Sequence, residues 1–243
     1  MDNDDILVGQ LLSRREALIL LGGASLSLVG AGSSSSAAER IDTGSPTATC
    51  VVRPQLTEGP FFVDERLNRA DIRADPATGA TRAGVLLTVA FGISRLNGAA
   101  CTPLPGVFVD VWHCDAAGLY SDVRANGTVG QKFLRGYQVT DANGLARFTT
   151  IYPGWYSGRA VHIHFKIRTE LSNNSAYEYT SQLFFPESLN STVHAQPPYA
   201  GRGQRKVLNS NDGIYRGGGS QLLLDPKATG EGYAAQINLA VQI

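Results

Sequence analysis

The sequence predicts an all-β domain: an antiparallel β-sandwich with Greek-key-like connections and long loops. Short runs that alternate apolar and polar residues at a period of two are typical of strands with one buried face. Turn-forming residues separate these runs, and the 243 residues include 27 glycines and 11 prolines. Helical periodicity is almost absent after residue 50. Several such strands with turns between them indicate two packed sheets.

The predicted strands follow one another along the chain. They cover residues 85–94, 106–112, 136–140, 145–151, 161–167, 178–185, 220–225 and 234–243. The sequence Asp141-Ala-Asn-Gly144 is a strong hairpin signal between two of them. The polar, irregular segment 64–82 is predicted to be a surface arm. The segment 186–219 is too long for a simple connector, so we expect it either to cover a site or to be partly mobile.

The N-terminal part of the chain has the features of an export signal. Arg14-Arg15 resembles a twin-arginine motif, and it precedes a short apolar run and then a small, Ser-rich segment. We therefore expect a signal peptide at 1–38, a linker at 39–49 and one domain at 50–243, with export to the periplasm or the cell exterior. The apolar run is diluted by Gly and Ser, so a stable membrane span is not expected.

The charge of the chain limits its possible partners, and its cysteines allow one disulfide. The formal net charge is zero and no basic stripe appears, so nucleic acid is not an expected partner. In an exported protein a disulfide is permitted. Cys50 and Cys101 each begin a loop-like segment and are the favoured pair, although spacing does not determine connectivity. Cys114 ends an apolar strand and is expected to stay a buried thiol.

Two histidines on one predicted strand are the first candidate metal ligands. His162 and His164 are two residues apart, so a strand places both imidazoles on the same face. Imidazole binds several transition metals, and two histidines alone do not choose among them. Tyr120 and Tyr156, at loop ends, would complete a set of two nitrogens and two oxygens. A phenol needs a strongly Lewis-acidic ion to lose its proton at neutral pH, which favours ferric iron.

Several motifs together resemble the intradiol ring-cleavage dioxygenases, which include the protocatechuate and catechol dioxygenases. The resemblance covers about residues 50–185. It rests on Trp112…Asp115-x-x-Gly118-x-Tyr120, Thr140-Asp141-x-x-Gly144-x-x-x-Phe148-x-Thr150-Ile151-x-Pro153-Gly154-x-Tyr156, Arg159-x-x-His162-Ile-His164-Phe, the entry segment Leu56-Thr-Glu-Gly-Pro-Phe-Phe62 and Thr180-Ser-Gln182. The block of Tyr156, Arg159 and His-x-His is specific to the family, whereas the Gly-Pro segment alone is a weak signal.

The resemblance implies one mononuclear non-haem Fe(III) bound by Tyr120, Tyr156, His162 and His164. Tyr156 and His164 would be axial, and Tyr120 and His162 equatorial. The substrates would be a catechol and O₂, and the product a cis,cis-muconate. Tyr156 would accept a substrate proton, and Arg159 would stabilise negative charge on the ring, an effect that is large in a dry site. Gln182 would orient Arg159.

Two alternatives stay open at this stage. One is a secreted β-sandwich that binds a metal or ligand without turnover. The other is an unrelated His-x-His metalloenzyme such as a cupin-type oxygenase, for which Glu187 and His194 are the available additional ligands. His113 is expected to have a structural hydrogen-bonding role. The sequence determines neither the substrate among possible catechols nor whether the protein forms a homo-oligomer.

Overall fold

The computed structural model describes residues 51–170 and 177–243, and the chain there forms mostly strands. The predicted signal peptide and linker lie outside the described residues, as does Cys50. The strands are β1 (Leu86–Asn97), β2 (Ala100–Pro103), β3 (Phe108–Trp112), β4 (Arg135–Val139), β5 (Leu145–Ile151), β6 (His162–Arg168), β7 (Glu178–Phe184), β8 (Lys227–Ala228) and β9 (Gly232–Val241). The helices, which lie between β7 and β8, are α1 (Glu187–His194) and α2 (Gly213–Arg216).

The strands form two sheets, which confirms the all-β prediction. The first sheet has the order β2-β1-β9-β8, with β5 also paired to β1, and the second has the order β4-β3-β6-β7. The apolar alternate residues of both sheets meet in one core, where the rings of Phe91 and Phe165 lie 5.3 Å apart. Such facing of two apolar sheet surfaces is how a sandwich buries its strands.

One pairing departs from the antiparallel expectation. Strand β9 runs parallel to β1 over Leu86–Arg95, whereas the pairs of the second sheet are all antiparallel. The long connection after β7 carries the chain to the other sheet, so β9 enters alongside β1 in the same direction. A parallel pair requires a long crossover of this kind. The short strand β2 was not predicted, and its Cys101 is disulfide-bonded.

Two other predictions are wrong in part. The segment 64–82 is more than a surface arm, because Ile72 is fully buried, its N–H donates to the Thr149 carbonyl and its carbonyl accepts from the N–H of Leu134. The predicted strand 220–225 begins as a 3-10 helix, Gly219–Leu222, and joins β7 through a single bridge at Leu223. Leu222 and Leu224 pack into the core, whereas Leu223 is exposed.

The segment 186–219 contains both helices, and its Asp212 lies next to Arg159. Among the described residues, no helix is long and apolar enough to span a membrane. The outer face of the second sheet, opposite the core, carries the alternate residues of β6, namely His162, His164, Lys166 and Arg168. All four are buried. This polar but covered face is where the site lies.

Candidate active site

Strand β6 presents the two candidate histidines side by side. His162 lies opposite Phe184 of β7, and His164 lies between Trp112 of β3 and Gln182 of β7. Both are on the outer face of the sheet, as the period of two predicted. The ring of His164 stacks on Trp112 with 5.0 Å between centroids and an 8° interplanar angle. The register of three strands therefore determines where these imidazoles lie.

The two tyrosines arrive on loops that pack against each other. Gly118 has φ +80°, and a Cβ there would lie 2.3 Å from the carbonyl oxygen of Trp155. Gly154 similarly approaches Asp115, to whose carbonyl it donates a backbone hydrogen bond of 3.2 Å. Only glycine permits this close approach of two backbones. Tyr120 follows Gly118 by two residues, and Tyr156 follows Gly154 by two. As a result the rings of the two tyrosines lie close together, with 5.7 Å between centroids.

Four donor atoms converge at one point. The Nε2 atom of His162 lies 3.0 Å from Nε2 of His164, 3.2 Å from the hydroxyl of Tyr156 and 3.5 Å from the hydroxyl of Tyr120. Ligands bound to one ion at about 2 Å are separated by roughly 3–3.5 Å from one another. The spacing of these side chains therefore fits a common metal ion.

The tautomer and orientation of the histidines also fit metal binding. Nδ1 of His162 lies 2.7 Å from the carbonyl oxygen of Ala160, which as an acceptor requires the proton on Nδ1 and leaves Nε2 as a lone pair. Nδ1 of His164 has no hydrogen-bond partner among the described residues, so its ring is oriented by stacking on Trp112. Burial lowers the pKa of both imidazoles well below the usual value, and the Arg159 charge adds to this. Neutral imidazole is the form that binds metals.

Burial also determines the protonation of the candidate oxygen ligand Tyr120. Desolvation, with the nearby Tyr156 second, raises the pKa of the Tyr120 phenol well above the usual value. A multivalent cation must therefore supply the attraction that stabilises the phenolate. Among the described residues no group of three or more His, Cys, Asp or Glu is placed to hold a metal. A metal at this position would rely on the two tyrosines.

The entry segment Leu56–Phe62 closes over these donors. Phe61 stacks on Tyr120 with 4.4 Å between ring centroids and meets Tyr156 edge to face at 6.0 Å. Phe62 packs on Trp112, with ring centroids 4.9 Å apart. Aromatic rings thus cover part of the cluster, and Tyr156 stays partly exposed. The family resemblance indicated this segment, but its sequence did not show which tyrosine each phenylalanine contacts.

Arg159 and Gln182 lie together, as the resemblance implied. Nη2 of Arg159 donates to Oε1 of Gln182 at 2.5 Å, and Nε2 of Gln182 donates to the carbonyl of Thr57 at 2.9 Å. Arg159 is 5% exposed, and its charge reaches both His162 and Tyr120. Asp212 binds Arg159 from the other side, with 3.0 Å between Oδ2 and Nε. No sequence signal pointed to Asp212, which follows Arg159 by more than fifty residues.

The residues considered as alternative ligands have other roles. Nδ1 of His113 contacts the Cys114 carbonyl at 2.8 Å, and Nε2 lies 2.7 Å from the Thr150 hydroxyl, which confirms a structural hydrogen-bonding role. Glu187 and His194 begin and end helix α1 rather than occupying strands. Glu187 pairs with Arg205, and His194 contacts the Pro153 carbonyl. The arrangement of strand ligands that a cupin-type site needs is therefore absent from these positions.

Cys114 is a free, buried thiol, as predicted. Burial raises the pKa of this thiol to about 12, so it is not a ready nucleophile or ligand. Cys101 is disulfide-bonded. Its predicted partner, Cys50, lies outside the described residues, so that pairing stays a prediction.

The fold and the cluster define a β-sandwich protein in which His162, His164 and Tyr120 are buried between a sheet and an aromatic cover, with the partly exposed Tyr156 beside them. A family model described as Dioxygenase matches residues 57–190, more than half of the chain and including all four candidate ligands. The chain is 30% identical to an intradiol ring-cleavage dioxygenase from Tetranychus urticae. That structural match covers 79% of this chain and 95% of the other, with a TM-score of 0.69. The chain therefore belongs to the intradiol ring-cleavage dioxygenase family.

Two further relatives are informative. The dioxygenase domain of a dioxygenase–carbohydrate-binding fusion from Streptomyces sp. SirexAA-E is 25% identical, with a TM-score of 0.56, over 79% of this chain and 99% of that one. Catechol 1,2-dioxygenase 1 of Acinetobacter lwoffii is 26% identical over 152 residues, or 53% of this chain and 45% of the relative. The chain thus spans less than half the length of the curated catechol dioxygenases that it matches.

Proposed function

We propose that this protein is an Fe(III)-dependent dioxygenase that cleaves a catechol-type ring between its two hydroxyl-bearing carbons. The observation that carries the proposal is the convergence of Tyr120, Tyr156, His162 and His164 around one point, with all three contacts to Nε2 of His162 at 3.0–3.5 Å. Family membership supports the same reaction. Both atoms of O₂ enter the product, so catechol and O₂ give cis,cis-muconic acid with no other reductant.

The donor set favours ferric iron over softer or less acidic ions. Two neutral imidazoles and two phenols in a buried site supply no negative charge of their own until the phenols ionise. Fe(III), two phenolates and a hydroxide together have zero net charge, which a dry site tolerates. When bound, a ferric ion would supply Lewis acidity toward the hydroxyls of a catechol and would make its ring more reactive toward O₂. The residues of this chain determine how the substrate is oriented and where its protons go.

Tyr156 is suited to accept a proton from the incoming substrate. Its hydroxyl is 3.2 Å from Nε2 of His162, and its side chain is partly exposed, whereas Tyr120 is buried. A tyrosinate at this more accessible position could take up a proton that a binding catechol gives up, and would then be a neutral phenol. Tyr120, stacked under Phe61, would keep its place as the substrate binds. The two tyrosines would therefore have different roles despite their similar chemistry.

Arg159 supplies a fixed positive charge beside the donors. Its guanidinium is oriented by Gln182 and Asp212 rather than by solvent. We infer that it stabilises negative charge that develops on the ring carbon during cleavage. Such a preorganised charge has a large effect on the reaction rate because a water-excluded site screens it weakly.

Export by a twin-arginine route belongs to the same proposal. It rests on Arg14-Arg15 and the apolar run that follows. Cell fractionation of the full-length chain tests it against the variant in which both arginines are replaced by lysine. We expect the wild-type protein in the exported fraction and the variant inside the cell. An identical distribution of the two would contradict the proposed route.

The activity is tested with the purified, iron-loaded protein and a panel of substituted catechols under ¹⁸O₂. We expect O₂ uptake that matches substrate loss and a muconate-type acid with one labelled oxygen at each end of the cleavage. Iron binding without O₂ uptake across the panel would favour the metal-binding alternative instead. A product cleaved beside the hydroxyl pair would contradict intradiol chemistry.

A further inference from the structure

The chain contributes a buried carboxylate beside the donor cluster that the family resemblance did not include. Asp212 lies in the long connection between β7 and β8, immediately before helix α2, and is 2% exposed. It contacts Arg159, the charged residue of the proposed mechanism. A buried carboxylate needs strong partners to remain charged, so its contacts indicate what it does.

Both oxygens of Asp212 are used. Oδ2 accepts hydrogen bonds from Nε of Arg159 at 3.0 Å and from the backbone N–H of Ala160 at 2.8 Å. Oδ1 accepts from the backbone N–H groups of Ile214 and Tyr215 at 2.8 and 2.9 Å. One carboxylate therefore joins the loop that carries Arg159 to the start of α2. Its own rotamer is fixed by backbone donors on both sides.

The guanidinium of Arg159 is consequently clamped from opposite directions. Asp212 binds Nε, and Gln182, which is itself hydrogen-bonded to Thr57, binds Nη2. A planar guanidinium held at two of its edges has a fixed plane, unlike an arginine held by one partner. A guanidinium with a fixed plane can hold its positive charge next to one particular atom of a reacting substrate.

The pair also affects the electrostatic balance of the site. A ferric ion bound by two phenolates and a hydroxide would have zero net charge, so Arg159 without a carboxylate would add one positive charge to a buried region. Asp212 supplies the compensating negative charge within 3.0 Å of the guanidinium. Asp212 thereby reduces the positive potential that Arg159 produces at the metal position, while the hydrogen bonds that orient the guanidinium remain.

We propose that Asp212 is a positioning residue that fixes the plane of Arg159 and offsets its charge at the metal centre. This inference rests on the proposed function. It assigns to the long connection after β7 a role in the site: its Asp212 controls a residue on the loop before β6. Asp212 acts through Arg159: among the described residues its side-chain hydrogen bonds go to Arg159 and to the backbone of Ala160, Ile214 and Tyr215.

The main test compares Asp212→Asn with the wild type in the iron-loaded, full-length protein. Asn retains a similar shape and one acceptor oxygen but loses the charge. We expect kcat to fall about tenfold to a hundredfold with misplacement of Arg159, and KM to change by less than about threefold. We also expect the tyrosinate-to-iron absorption band to move to longer wavelength, since a more positive site stabilises an electron on the metal.

Two further variants keep the test decisive if the Asn variant folds poorly. Asp212→Glu keeps the charge but changes its reach, so the absorption band should stay at the wild-type wavelength while kcat falls. Asp225→Asn is the matched control, because Asp225 is exposed and pairs only with the exposed Lys227 in the described structure. It should leave kcat, KM and the band unchanged. Iron content and thermal midpoint are measured for every variant.

A double-mutant cycle separates a role through Arg159 from general loss of structure. In an Arg159→Gln background, adding Asp212→Asn should lower kcat by no more than about twofold, because the interacting group is already gone. A full, additive loss in that background would overturn the proposal, and so would an unshifted band in Asp212→Asn. If the wild type bound iron but cleaved no catechol, the proposed function would fail, and the band comparison would still decide whether Asp212 offsets charge at the metal.

Discussion

The outer face of strand β6 has two halves that differ in how their polar groups are satisfied. At one end, the neutral His162 and His164 meet two tyrosines, and no carboxylate of the described residues pairs with either imidazole. At the other end, Arg168 binds both oxygens of Asp110 at 2.7 and 2.8 Å and also pairs with Asp64. Lys166, between the halves, pairs with Glu58 and Glu178 and lies over the ring of Phe62.

The difference separates stabilisation from function along a single strand. The arginine half is complete without any ligand, because each buried charge has a protein partner. The histidine half brings Nε2 of His164 and two phenol oxygens to within 3.0–3.5 Å of Nε2 of His162, with no charged residue among them. An external cation at this point would be bound by all four of these atoms. We therefore expect changes in the histidine half to affect metal binding, and changes in the arginine half to affect folding.

The largest effect is expected from Tyr120→Phe. Loss of one anionic ligand should remove or shift the tyrosinate-to-iron band and lower kcat on the order of a thousandfold, near the upper range for removal of one preorganised group. The metal-free protein should keep its stability to within about 1 kcal/mol, because the ring still stacks on Phe61. Absorption spectra, iron content and denaturant unfolding measure these quantities.

Tyr152→Phe is the matched control for this variant. Tyr152 is also fully buried, but its hydroxyl donates to Asn190 at 2.7 Å and lies outside the donor cluster. Its loss should cost about 1 kcal/mol of stability and leave the band unchanged. If both variants kept the wild-type band, Tyr120 would not be a ligand.

In the arginine half, Arg168→Met should produce the opposite result. Removing the guanidinium leaves the Asp110 carboxylate buried without its cation, which commonly costs about 3–5 kcal/mol. Molecules that remain folded should still bind iron with the wild-type band. Replacing both residues, as Arg168→Met with Asp110→Leu, should restore much of the stability because no unpaired charge remains. Denaturant unfolding of the two variants tests this, and an equal loss in both would refute the ion-pair explanation.

The two halves should also respond to acid in opposite directions. Burial lowers the pKa of His113, beside the histidine half, to about 4 and raises the pKa of Asp110 to about 6. The unfolded state binds a proton more tightly at His113, so that residue's contribution to stability is lost as pH falls from about 6.5 towards 4. The folded state binds a proton more tightly at Asp110, so that residue favours folding as pH falls from about 6 towards 3.8.

Unfolding free energies of the metal-free protein at pH 7 and pH 5 measure these contributions. Relative to the wild type, His113→Asn should lose about 2 kcal/mol less on acidification, and Asp110→Asn about 1 kcal/mol more. The comparison uses the change between the two pH values, which removes the fixed cost of each substitution. Equal changes in the wild type and both variants would mean that neither residue titrates as proposed.

The sequence predicted much of this arrangement because much of it depends on local periodicity. The period of two placed His162 and His164 on one face, and the motifs that resemble the family indicated Tyr120, Tyr156, Arg159 and Gln182. Local patterns carry no information about which distant residue closes a salt bridge. Asp212 and the partners of Arg168 were missed for that reason. The parallel pairing of β9 with β1 was missed because strand direction depends on the path of the long connection.

The smallest effect is expected where the two halves meet, from Glu58→Gln. Lys166 would lose one of two carboxylate partners but would keep Glu178 and its position over Phe62. Glu58 is more than a third exposed, so solvent screens the pair and the loss of stability should be below about 1 kcal/mol. Glu58 and Phe61 belong to the same entry segment. The change in KM for catechols, expressed as a free energy, should therefore exceed the change in unfolding free energy. Steady-state kinetics at low and high salt, with denaturant unfolding, test this. A variant with the wild-type KM at both salt concentrations and a stability loss of several kcal/mol would contradict the prediction, and Lys166 would then act with the arginine half of the strand.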